Sequence, residues 1–103
     1  MNNDQIVVSI KDGGFIEIDE GNGKALCRQI LEVNVDKDGF SDRWITTIYP
    51  IHERYGRLHF NFSTKEKANG FLDMIYEACI DLDKMNSGLN TDTIVKIRVY
   101  NYG

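Results

Sequence analysis

The stretch LHFNFSTKEKANGFLDMIYEACIDLDK, residues 58–84, decides the fold class because its hydrophobic period changes midway. Leu58, Phe60 and Phe62 alternate with His59 and Asn61, the two-residue period of a half-buried strand. From Ala68 the step lengthens. Ala68, Phe71, Leu72, Ile75, Cys79 and Leu82 recur at three and four residues and form one apolar stripe of a helix. Between the two, Ser63-Thr64-Lys65-Glu66 has capping-box spacing, in which Ser63 accepts from a first-turn amide and Glu66 reaches back. The spacing predicts a helix over about 64–84, with its exit at Asn86 and Gly88.

Upstream, the period is that of strands. Ile6, Val8 and Ile10 alternate with Val7, Ser9 and Lys11, and Asp12-Gly13-Gly14 supplies a hairpin turn. Phe15 to Asp19 is the return strand, followed by the turn Glu20-Gly21-Asn22-Gly23. Leu26 to Val35 reads as one long third strand, with Cys27, Gln29, Leu31, Val33 and Val35 on one face. Asp36-Lys37-Asp38-Gly39 turns the chain into Trp44 to Tyr49, and Pro50 ends that strand or places it near an edge. Downstream of the helix, Thr93 to Tyr102 is the last strand. Val95, Ile97 and Val99 alternate with Lys96, Arg98 and Tyr100, so if the first three face inward, Lys96, Arg98, Tyr100 and Tyr102 face outward.

The expected fold is α+β, with residues 1–103 as a single domain. A strongly curved antiparallel sheet of about six strands packs on one amphipathic helix, in the chain order of five strands, the helix and a sixth strand. A helix of about 20 residues is about 30 Å long and covers one sheet face. The sheet must therefore curl, keep one face wet or pair with another chain.

Composition bounds the function. The chain has 103 residues, 42% of them hydrophobic and 27% charged, as in ordinary globular domains. The polar start Met1-Asn2-Asn3-Asp4 does not resemble a signal peptide, and no apolar run has the length of a membrane span. Cys27 and Cys79 lie among apolar neighbours and read as two buried thiols, with a disulfide as the other reading if the two approach each other in space; a cytoplasmic location is expected. A net charge of −4 argues against nonspecific binding of nucleic acid or anionic membranes by the whole surface.

No catalytic or metal motif emerges. His52 and His59 lack zinc spacing relative to the cysteines. Asp36-Lys37-Asp38-Gly39 lacks the later ligands of a calcium loop. Gly21-Asn22-Gly23-Lys24 precedes a strand, whereas a phosphate loop opens a helix. No cofactor is expected. A small enzyme without a recognisable motif is the third-ranked reading.

Two surfaces remain. On the helix, Asp73, Glu77 and Asp81 are spaced by four, and Asp83 adds a charge to the last turn, where it opposes the helix dipole. Residues 68–95 hold five acids and only Lys84 as a base. This stripe either pairs with cations from the sheet or docks a basic partner. The second surface is a basic-aromatic sheet face made of Arg57, His59, Lys96, Arg98 and Tyr100, which would suit single-stranded nucleic acid if these residues share one side. Met74, Tyr76, Ile80, Met85, Trp44 and Tyr49 also fall off the main core pattern, as interface residues do.

The leading expectation is a non-enzymatic protein-binding module: an acidic inhibitor or adaptor that takes a protein partner, with a homodimer as a further expectation. One concrete form is an inhibitor encoded by a mobile element and directed at a nucleic-acid-binding host protein. A nucleic-acid-binding module is the alternative.

Overall fold

A computed structural model of the chain describes residues 5–11, 15–20, 24–27, 30–51, 56–87 and 97–103. They form β1 (Gln5–Lys11), β2 (Phe15–Asp19), β3 (Lys24–Cys27), β4 (Ile30–Lys37), β5 (Trp44–Pro50), β6 (Leu58–Phe62), α1 (Lys65–Ser87) and β7 (Ile97–Asn101). The α+β class is as the periodicity predicts. The arrangement differs, because the strands make two antiparallel sheets instead of one curved sheet. One sheet has the order β3-β2-β1-β7 and the other β4-β5-β6.

The long third strand read from sequence is two strands. Lys24–Cys27 pairs with β2, and Ile30–Lys37 pairs with β5. This division answers the shortage of cover, because α1 packs against β1 and β7 of the first sheet and against all three strands of the second. One core results. The first sheet supplies Ile6, Val8, Ile10, Ile16 and Ile18, and the second Val33, Ile48, Phe60 and Phe62. The helix adds Ala68, Phe71, Ile75, Ala78 and Leu82, with Leu72, Met74 and Cys79 half-buried at its margin. Buried Thr46 of β5 donates to the Ala68 carbonyl at 2.9 Å and ties the second sheet to the helix.

Three local details depart from the sequence reading. First, a bulge between Ile30 and Glu32 breaks the alternation of β4. Ile30 packs on the core, and Leu31 is turned outward with 70% of its surface exposed. Bulges shift side chains across the sheet in this way. Second, the N-cap is Thr64 and not Ser63. The Lys67 amide donates to Thr64 Oγ1 at 3.2 Å, and Ser63 Oγ accepts from Lys67 Nζ at 3.2 Å. The first helical bond, from the Ala68 amide to the Thr64 carbonyl, fixes this frame.

Third, β7 faces the other way. Its register on β1 sets Tyr100 opposite Ile6 and Arg98 opposite Val8, so both share the inner face with those core residues. Ile97 and Val99 point outward, with 64% and 44% of their surfaces exposed. Tyr100 is favoured inside because its ring meets Phe62 and Phe71, with centroids at 5.9 and 5.6 Å.

The turn between β4 and β5 is braced by Asp38. Its carboxylate accepts from the Phe40 amide at 3.0 Å and from Ser41 Oγ at 2.8 Å, which holds the Asp38 carboxyl below its ordinary range. A hairpin is thus formed where the sequence predicts one. The turns at Asp12–Gly14 and Gly21–Gly23, the helix exit at Gly88 and residues 93–96 lie outside the described residues.

Candidate functional site

The two surfaces singled out in the sequence meet each other. Arg98 of β7 reaches under the helix and donates to Glu77 at 2.7 Å and to Asp81 at 2.9 Å. The Arg98 and Asp81 side chains are largely shielded, whereas Glu77 is open to solvent. One guanidinium thus offsets two like charges that the helix places four residues apart. Its Nε is buried with no hydrogen-bond partner among the described residues. Of the remaining acids, Asp73 acts on Tyr100. Burial first, and then the Asp73 charge, push the Tyr100 hydroxyl above its ordinary value, while a backbone hydrogen bond at Phe71 opposes them. The Tyr100 hydroxyl donates to the Lys67 carbonyl.

Arg98→Ala is expected to lower stability by about 1 kcal/mol, the upper range of exposed pairs, because its contacts are partly shielded. Chemical denaturation checks it. The loss should shrink when Glu77 and Asp81 are also replaced by Gln and Asn. Equal losses in both backgrounds would assign the effect to packing alone.

The basic-aromatic face is not assembled as one surface. His59 lies on β6 of the second sheet and Arg57 just before it, with the Arg57 guanidinium 5.0 Å over the Tyr49 ring and His59 Nδ1 3.2 Å from Thr47 Oγ1. Arg98 and Tyr100 belong to the first sheet and face the helix. The physical reason is the split into two sheets together with the reversed facing of β7. Lys96, His52 and Asp92 lie outside the described residues, as does the side chain of Cys27.

What the sequence reading missed is a recess at the open end of the β4–β5 hairpin. A cleft of about 620 Å³ is lined by Leu31, Tyr49, Pro50, Ile51, Gly56 and Arg57. A second, of about 320 Å³, is lined by Ile16, Ile30, Leu31, Ile51, Cys79, Leu82 and Asp83. The two share Leu31 and Ile51, whose exposed fractions are 70% and 46%. Arg57 lines the first cleft and Asp83 the second. The signal available in sequence was Pro50 ending its strand beside Tyr49. The bulge that turns Leu31 outward left no local mark.

Among the described residues, no group of three or more His, Cys, Asp or Glu side chains could hold a metal ion. No described helix is long and apolar enough to cross a membrane. Comparison with known proteins finds no matching family model, no matching curated protein and no matching solved structure.

Proposed function

We propose that this chain is a protein-binding module, and that the recess around Leu31 and Ile51 receives an extended segment of its partner. The observation that carries the reading is that two clefts adjoin at these exposed apolar side chains. Mostly apolar walls with a few polar groups are the usual make-up of a binding recess. Arg57, stacked on Tyr49, suits a carboxylate of the incoming segment, and Asp83 suits a cation. The opposite charges of the two clefts give the segment a direction. The narrower form, an acidic inhibitor or adaptor with a basic partner, draws on the net charge of −4. It draws less on Glu77 and Asp81, since a partner's cation would have to compete with Arg98 for them.

Panning a displayed library of random peptides against the protein tests the proposal. Enriched peptides should carry an apolar centre, and their affinity should fall at least about tenfold in Leu31→Asp and Ile51→Asp. Both residues are exposed, so thermal melts of the variants should stay close to the parent. In Arg57→Ala any preference for an acidic flank should vanish. Peptides that bind both Asp variants as well as the parent would sink the assignment.

A further inference from the structure

We infer that β7 is a self-association edge, at which two copies of this chain pair β7 against β7 antiparallel about a two-fold axis at Val99. β7 closes one side of its sheet and has β1 as its single strand neighbour among the described residues. Edge strands are normally defended by charges, proline or bulges, because their outer amides and carbonyls invite another strand. The other edges with described side chains are defended. β4 also exposes Leu31, but it has its bulge there and surrounds that residue with exposed Glu32, Asp36 and Lys37 on the same strand. β6 exposes His59 and Asn61, with Arg57 next to it. β7 instead exposes Ile97 and Val99, and its one charged side chain, Arg98, is turned inward and engaged by Glu77 and Asp81.

The sequence of β7 fits its own copy. Centred on Val99, the pairing sets Val99 opposite Val99, Ile97 opposite Asn101 and Arg98 opposite Tyr100. No like charges meet, and a two-fold axis makes the contact isologous and closed. Val99 already lies beside Val7 on the outer face. The pairing therefore extends that pair into an apolar row across the junction, from Val7 through both Val99 side chains to the second Val7. The two four-stranded sheets become one continuous sheet. An edge of five residues buries less than a standard interface, so the association is concentration-dependent. It does not involve the Leu31–Ile51 recess, so its test is independent of that reading.

Sedimentation velocity over a dilution series tests it. The parent chain should move from monomer to dimer as concentration rises. Val99→Lys, which sets two cations face to face, should remain monomeric with an unchanged thermal melt. Should Val99→Lys fold poorly, oxidation of Val99→Cys supplies the second measurement. It should form a covalent dimer at least about tenfold faster than Phe40→Cys, whose thiol sits on a fully exposed turn between β4 and β5 of the other sheet. A parent that stays monomeric throughout, or a dimer that ignores Val99→Lys, overturns the proposal, as does a Val99→Cys rate no faster than that of Phe40→Cys.

Discussion

Phe71→Ala is expected to remove about 3–5 kcal/mol of folding stability, measured by urea denaturation. Phe71 is fully buried, and its ring lies 4.9 Å from Phe60, 5.6 Å from Phe62 and 5.6 Å from Tyr100, centroid to centroid. Phe60 and Phe62 belong to one sheet and Tyr100 to the other. The side chain therefore joins both sheets to the helix. Truncation loses its transfer energy and leaves a cavity that three rings held on two strands, β6 and β7, can fill only in part. Small domains have about 5–15 kcal/mol in total, so the variant sits near the threshold of folding. Phe71→Leu, which keeps an apolar side chain of similar bulk, should lose about 1–2 kcal/mol. A loss below about 1 kcal/mol in Phe71→Ala would mean that the two sheets do not depend on a shared core at this residue.

The parts of this fold that were legible in sequence are those set by local period. The alternation of residues 58–62 and the stripe from Ala68 to Leu82 each point to one element, whatever lies elsewhere. Strand pairing is a non-local choice. Nothing between Leu26 and Val35 says that Cys27 ends in one sheet and Ile30 begins in another. Facing is equally non-local. Alternation in β7 shows that two faces differ, but Arg and Tyr carry enough apolar body to line an interior while their polar tips find partners. The register of Arg98 and Tyr100 on Val8 and Ile6 settles which face is inner. The acidic stripe was legible as a local cost, two like-charged pairs at helical spacing. Its counter-charge, Arg98, lies 17 residues beyond Asp81 on a different element, where no local rule reaches. Leu31 stayed hidden for the same kind of reason, since the bulge that exposes it is a property of the pairing with β5.

Gly70→Ala is expected to destabilise the chain by about 2 kcal/mol, against the ordinary preference of helices for alanine. In an isolated helix this change would gain about 1 kcal/mol. Here a Cβ at Gly70 would lie 2.5 Å from Tyr100 Oη, 3.2 Å from Cε1 and 3.3 Å from Cζ. The ring cannot step aside cheaply. Its hydroxyl donates to the Lys67 carbonyl, and its faces and edges meet Phe62, Phe71 and Tyr102. Overpacking at such a site costs about 1–3 kcal/mol, and displacing the hydroxyl forfeits a hydrogen bond worth about 1 kcal/mol. Together they exceed the helical gain. The double variant separates the causes. With Tyr100→Ala in place the clash is gone, so Gly70→Ala should become neutral or stabilising by up to about 1 kcal/mol, a reversal of sign. The same experiment tests the facing of β7, because Tyr100 and Arg98 share one side of that strand. If Gly70→Ala stabilises the intact chain, Tyr100 is not seated against the helix. Arg98 would then lose its place beneath Glu77 and Asp81, and Ile97 and Val99 would turn inward, which would remove both the counter-charge of the stripe and the apolar edge.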